Sequence, residues 1–412
     1  MSGERVLEVL LNDVSVGELR EEPHGKSTFR FSAEYLEALH RPVLSQSFLD
    51  NPYAIHEGKL FALPNFFSNL LPDPEGRLRP LIARQLGVKP NREFLLLSAL
   101  GADLPGAVII RPRKPFGIEG EDLSTADSEI VRPRTDQEVR FSLAGVQLKF
   151  SMIRRGKTLT YPLNGRGGDM IVKLPDLDFP NVPENEYSMM LWARACGIDV
   201  PEIELLPVDR LEGLPPEVAK MPGHAYAIQR FDRPKNGPRI HIEDMAQVFG
   251  LAPDEKYEQR HYQHIGRLLV QLPDRRGFEQ FVRRLVFMLA SGNSDAHLKN
   301  WSIIYRNGVR AELAPAYDFV STCVYERTRS EIFALKLVRT RSYRDIDSTA
   351  FYAFAVKAGA EANAVVKLVE EMADQIRDEW LRLRKELPIP DAFKDAIEQH
   401  WQQVPLLHPR AS

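Results

Sequence analysis

The stretch Ser291-Gly-Asn-Ser-Asp-Ala-His-Leu-Lys-Asn300 runs into an apolar, strand-like Trp301-Ser-Ile-Ile-Tyr305, a turn at Asn307-Gly308, and Ala316-Tyr-Asp-Phe319. Just before it, Phe278, Phe281, Val282, Leu285, Met288 and Leu289 fall on one stripe of a helix expected over 277–290. Long amphipathic helices are expected from about 255 onward, among them one over 361–386. From 140 to about 232 the pattern is different: short apolar runs separated by Gly-rich turns predict strands. A strand-rich lobe followed by a helical lobe leaves a cleft between them. The fold class read from this order is α+β and bilobal.

The quoted stretch holds the residue types that phosphoryl transfer needs. A carboxylate must orient a hydroxyl nucleophile, and oxygen ligands must hold the magnesium that spreads charge over the phosphates. Asp295 and Asn300 stand five residues apart on one loop, the spacing of base and metal-binding amide in protein kinases, and Asp318 follows the next hairpin where a second metal ligand belongs. Singly, Asp295 or Asn300 reads as a cap or turn residue. The ordered set of three, with His297 and Lys299 between the first two, favours the chemical reading.

The upstream lobe should then hold phosphates and a lysine. Ser142-Leu-Ala-Gly-Val-Gln-Leu-Lys149 places a small-residue turn before a strand from Lys149 to Ile153, so backbone N–H groups there can approach phosphate oxygens. Lys173 lies in the apolar strand Ile171-Val-Lys-Leu174. Thirteen residues on, Glu186 shares a helix face with Met189, Met190 and Ala193. A carboxylate on an apolar face needs a partner, and an ion pair with Lys173 would satisfy both groups while aiming the lysine at the phosphates.

Working outward, residues 5–19 alternate around Asn12-Asp13 as a hairpin, and Thr28–Phe31 adds a strand. Short helices are expected before Pro72-Asp73-Pro74, through Leu78–Leu86, and over 91–100 with Gly101 as the stop. A strand from Ala107 to Arg111 closes this α+β unit, whose polar exits show no catalytic cluster. The boundaries drawn are 1–111 for that unit, 112–139 for a Pro/Gly-rich linker, 140–232 for the nucleotide-binding lobe and 233–412 for the helical lobe. The 412 residues, 43% hydrophobic and 27% charged with a net charge of −3, exclude a disordered chain or a membrane bundle and show no overall basic field for nucleic acid or lipid. Two cysteines are too few for a disulfide framework or zinc set. With no signal-peptide pattern and no long apolar run, a cytoplasmic protein without membrane contacts is expected.

Taken together, these residues resemble the HipA family of serine/threonine kinases, the toxin halves of bacterial HipBA-type modules. The likeness includes Asn69-Leu-Leu-Pro72, Gly101-Ala-Asp-Leu-Pro-Gly106, the Ser142–Lys149 loop, Pro183-Glu-Asn-Glu-Tyr187, Gln229-Arg-Phe-Asp-Arg233, Glu243-Asp-Met-Ala-Gln247 and Asn293–Asn300. It implies a protein-kinase-like fold, related in outline to phosphoinositide kinases, with a small β-rich domain in front. It implies ATP and Mg2+ as cofactors, Asp295 as the base, Asn300 and Asp318 as metal ligands, and Lys173 on the ATP phosphates. By the same likeness Ala144, Gly145, Val146, Gln147, Leu148 and Lys149 form the phosphate loop, and Gln229, Arg230 and Phe231 form the adenine-side hinge. His297, Leu298, Lys299, Asn300, Tyr317 and Asp318 would line the rest of the nucleotide site. Ser142 would be autophosphorylated, and the added negative charge would repel ATP and shut the enzyme off. The natural target by analogy is an aminoacyl-tRNA synthetase. A helix-turn-helix antitoxin of HipB type would be the partner, with operator DNA met mainly through it. The His-Arg-Asp and Asp-Phe-Gly motifs of eukaryotic kinases are absent, since Ser294 precedes Asp295 and Val320 follows Phe319.

Three other features read as structural. Glu243 and Asp244 are expected at a helix start, Asp232 should pair locally with an arginine, and Asn164-Gly-Arg-Gly-Gly168 suits a hairpin tip. Two alternative functions remain open at this point: an antitoxin-bound co-repressor with little turnover, and a small-molecule kinase.

Overall fold

The computed structural model describes residues 4–408 except 77, 115, 117–148, 157, 161–166, 215–218, 330 and 331. Alternating apolar residues make β1 (Arg5–Leu11) and β2 (Val14–Glu21). They are joined at Asn12, whose φ of +52° suits the tight two-residue connection between Leu11 and Val14. With β3 (Ser27–Phe31), β4 (His56–Glu57) and β5 (Val108–Pro112) they form a sheet ordered β4-β3-β2-β1-β5. Four short helices, α1 (Ala33–Glu37), α2 (Asn65–Ser68), α3 (Leu78–Leu86) and α4 (Glu93–Leu100), complete the unit. Gly101 follows α4 because space is short there: a Cβ would stand 2.5 Å from the Ile110 carbonyl oxygen.

The second sheet is built from β6 (Lys149–Arg155), β7 (Thr158–Thr160), β8 (Met170–Lys173), β9 (Ile203–Pro207), β10 (Leu211–Glu212) and β11 (His224–Gln229). Its order is β10-β7-β6-β8-β11-β9, and α5 (Val182–Ala195) packs against β11 and β9. The remainder is mostly helical: α6 (Met245–Val248), α7 (Tyr262–Gln271), α8 (Arg275–Ala290), α9 (Ser348–Ala358), α10 (Ala362–Leu383) and α11 (Asp391–Trp401). A small sheet of β12 (His241–Asp244), β13 (Ser302–Tyr305) and β14 (Glu312–Leu313) and the hairpin β15 (Ile332–Leu337) and β16 (Thr340–Ser342) complete it. The expected α+β order is therefore present.

The cores do not divide at the sequence boundaries. Leu7, Val9, Phe29, Phe67 and Ile110 of the first unit share one buried cluster with Phe150, Met152, Val172 and Ala227 of the second sheet, while the helices keep a separate core. The first unit is also tied to the helical lobe. Asn65 Nδ2 donates to the Gly250 carbonyl at 2.7 Å, Asn69 Nδ2 to that of Leu251 at 2.8 Å, and Ser45 Oγ to Glu243 Oε2 at 2.6 Å. One expectation is corrected here. Asp244 caps α6 as a capping box, but Glu243 belongs to strand β12 and is fully buried, so it does not act on a helix dipole. The proposed hairpin tip at 164–168 falls largely outside the described residues. Cys196 and Cys323 are buried and free, and no described helix is long and apolar enough to cross a membrane.

Candidate active site

The loop after α8 is held in shape by its own polar groups. The Asp295 N–H donates to Asn293 Oδ1 at 2.9 Å, and the Asp295 carbonyl accepts from the His297 N–H and from Asn300 Nδ2, both at 2.8 Å. Ser294 N–H and Thr322 Oγ1 are 2.8 Å apart. The Asp295 carboxylate takes no part in these loop bonds and projects outward, and the residue is exposed. Because Asn300 spends its NH2 on the backbone, its amide oxygen is left as an acceptor.

Opposite this loop, Lys173 on β8 is buried with its Nζ 2.6 and 2.8 Å from the two carboxylate oxygens of Glu186, in the second turn of α5, and it also donates to Asp318 Oδ1. Two carboxylates around one ammonium hold the Lys173 pKa above its ordinary value despite burial. Lys149, at the start of β6, lies 3.9 Å from Asp318 Oδ2. Burial alone would raise the Asp318 carboxyl, yet the ammonium groups of Lys149 and Lys173 hold it well below the usual carboxylate range. Asp318 also has a φ of +58°, a left-handed conformation costing of order 1 kcal/mol in a non-glycine residue.

These groups line one cavity of about 660 Å³, together with apolar walls from Ile171, Ile228, Phe231, Ile242, Tyr317 and Val320. Gln229 and His297 line it as well. The Phe231 and Tyr317 rings are 5.9 Å apart, and Tyr317 donates to the Lys299 carbonyl at 3.0 Å. Burial lowers the His297 pKa to about 4, so its imidazole is neutral at pH 7. One expected nucleotide residue, Leu298, faces elsewhere, while Arg230 lines the cavity with its guanidinium already paired. Leu298 sits in the helical core. The Arg230 guanidinium is taken up by Asp232, at 3.1 and 2.9 Å, and by Asp103 at 3.3 Å. Asp232 thus has its local arginine, and more: Arg233 at 2.7 Å and the Gly106 N–H at 2.8 Å. Gly106 reaches it with a φ of +69° at a place where a Cβ would lie 2.7 Å from the Ile242 nitrogen. Ser142 and Ala144 to Leu148 lie outside the described residues.

The donor set fits a nucleotide with Mg2+. Buried polar atoms without hydrogen-bond partners occur at Asn69 Oδ1, Asn293 Nδ2 and His297 Nδ1, all on cavity-lining residues. The described residues contain no group of three or more His, Cys, Asp or Glu able to hold a metal unaided.

Sequence reasoning missed several cavity residues, among them Asp73, Lys256 and Tyr257, and gave Asp244 only its helix-start role. Tyr257 donates its hydroxyl to Asp295 Oδ1 at 2.5 Å, and Asp73 pairs with Lys256 at 2.7 Å and Lys299 at 2.6 Å. The available signal is Pro72-Asp73-Pro74, which fixes a carboxylate between two rigid residues besides breaking the helix.

Comparison with known proteins shows the family. Residues 7–111 match the HipA N-terminal domain and residues 141–380 the HipA-like C-terminal domain. Putative kinase Y4dM of Sinorhizobium fredii is 42% identical over 408 residues, covering 97% of both chains. The serine/threonine-protein kinase toxin HipA of Shewanella oneidensis is 24% identical over 82% of this chain and 81% of its own. Among solved structures, HipA from the Shewanella oneidensis complex of HipA, HipB and operator DNA superposes with a TM-score of 0.72 at 23% identity, over 97% of this chain and 96% of that one. With more than half its length matched by one family domain, and nearly all of it aligned to a relative at 42% identity, the chain belongs to the HipA family of kinase toxins.

Proposed function

We propose that this protein is an ATP- and Mg2+-dependent protein serine/threonine kinase and the toxin of a toxin–antitoxin pair. The observation that carries the reading is the convergence of Asp295, Asn300, Asp318 and the Lys173–Glu186 pair on one cavity with apolar walls. Bound Mg2+ would neutralise charge on the phosphates, with Asn300 and Asp318 as its side-chain ligands. Lys173, held by Glu186, orients the phosphates, and Ile171, Ile228, Phe231 and Tyr317 receive the base. Asp295 accepts the proton of the attacking serine or threonine hydroxyl.

The acceptor we propose is an aminoacyl-tRNA synthetase, the target class implied by the family likeness. The partner is a HipB-type antitoxin, supported by the solved Shewanella HipA, which is bound to HipB and operator DNA. Ser142 is the proposed autophosphorylation site. The test is incubation of host lysate with labelled ATP, Mg2+ and either the wild-type chain or Asp295→Asn. A labelled protein band with wild type alone, weaker by at least about 10²–10⁴-fold in the variant, is expected. A labelled metabolite would instead make the chain a small-molecule kinase, and absence of transfer would leave a co-repressor.

A further inference from the structure

The carboxylate that the first unit contributes to the cleft is held as firmly as the residues of the catalytic loop. Asp73 lies between Pro72 and Pro74, which restrict the backbone on both sides. The carbonyl of Pro72 accepts from Arg79 Nε at 2.7 Å, and Arg79 Nη1 is in turn bound to the buried Glu93 at 2.9 Å. Glu93 is fixed by the Leu63 N–H at 2.8 Å and Ser68 Oγ at 2.5 Å. A chain of buried contacts therefore determines where Asp73 points.

It points at two lysines of the other lobe. Asp73 Oδ1 is 2.6 Å from Lys299 Nζ and Oδ2 is 2.7 Å from Lys256 Nζ. Lys299 directly precedes Asn300, and the Lys256 carbonyl accepts from the Leu298 N–H at 3.2 Å, so both lysines belong to the frame of the catalytic loop. Without the carboxylate two ammonium groups would face each other and separate. With it, the trio keeps one net positive charge in the cavity that Asp295 and Asn300 line. Fixed cations are what a transferring phosphoryl group needs around its equatorial oxygens.

We propose that Asp73 is a positioning residue that holds Lys299 against the terminal phosphate, so that the amino-terminal unit completes the active site of the helical lobe. The proposal rests on the kinase reading above. Its effect falls on the transfer step rather than on nucleotide binding, since Lys173 and the apolar walls are untouched.

The experiment compares wild type, Asp73→Asn, Lys299→Met and the double variant as full-length chains. It measures kcat for labelled-phosphate transfer, and it measures nucleotide affinity separately by titrating a fluorescent ATP analogue. Expected are a kcat loss of at least about tenfold in each single variant, affinity within about threefold of wild type, and little further loss in the double variant. Full turnover in Asp73→Asn, or losses that multiply in the double variant, would overturn the proposal. Should Asp73→Asn fail to fold, Lys299→Met decides alone, because Asp73 still has Lys256; full turnover there overturns it equally. A wild-type chain that binds the analogue but transfers nothing would sink the kinase reading itself, and this proposal with it.

Discussion

Two buried charge clusters border the same cavity and are built to opposite ends. In the first, Asp103 and Asp232 face Arg230 and Arg233. Asp232 accepts from Arg230 Nε and Nη2, Arg233 Nη1 and the Gly106 N–H, while Asp103 accepts from both arginines and from Ser151 Oγ. Every carboxylate oxygen is engaged. In the second, Lys173 is locked to Glu186, but Asp318 keeps about a quarter of its side chain exposed and sits at a positive φ. The saturated cluster has no carboxylate oxygen left to offer a ligand and ties the first unit to the segment after β11. The unsaturated one holds a carboxylate in a strained conformation with part of its surface open to the cavity, which is what the proposed metal ligand requires.

That contrast predicts a separation of effects. Asp318→Asn leaves the Lys173–Glu186 pair intact, so the melting midpoint should stay within about 2 °C of wild type while phosphate transfer falls about 10³-fold. Transfer at wild-type rates would show that Asp318 is only another ion-pair partner. Asp103→Asn should do the reverse. Two buried guanidinium groups lose charged acceptors, costing about 3–5 kcal/mol in urea unfolding, while transfer per folded molecule changes less than about threefold. A comparable loss of transfer would mean that the saturated cluster also sets the nucleotide site.

The same contrast explains what could be read in advance. Asp295, Asn300 and Asp318 are legible because one continuous stretch carries them at a spacing set by local chemistry. Lys173 and Glu186 were legible because a charge among apolar neighbours demands a partner. The second carboxylate on Arg230 was not legible: Asp103 comes from the first unit, 127 residues away in sequence, and no local pattern announces it. Asp73 and Tyr257 reach Asp295 and its neighbours only through packing between the first unit, the segment before α7 and the catalytic loop. The first unit reads as self-contained because its strands alternate cleanly, yet its core is continuous with that of the second sheet.

Glu243 is the limiting case, a buried carboxylate with donors but without a cation. It accepts from Ser45 Oγ at 2.6 Å, the Gln46 N–H at 3.0 Å and the Tyr305 hydroxyl. Burial pushes its pKa up to about 7, against the pull of those donors. A carboxyl raised in the folded state binds a proton there before it does in the unfolded chain. Its contribution to stability is therefore full below about pH 4.5 and is lost as the pH climbs through 7. Glu243→Gln removes that titration, while the neighbouring Asp244 carboxyl, pushed up to about 6 by burial, titrates in both chains. The unfolding free energy of the variant relative to wild type should accordingly shift in its favour by up to about 3 kcal/mol between pH 5 and pH 8. Denaturant midpoints at four pH values measure it. A difference that stays flat would mean that three donors suffice to keep Glu243 ionised, and it would then join Asp103 and Asp232 among the carboxylates that hydrogen bonding has fully satisfied.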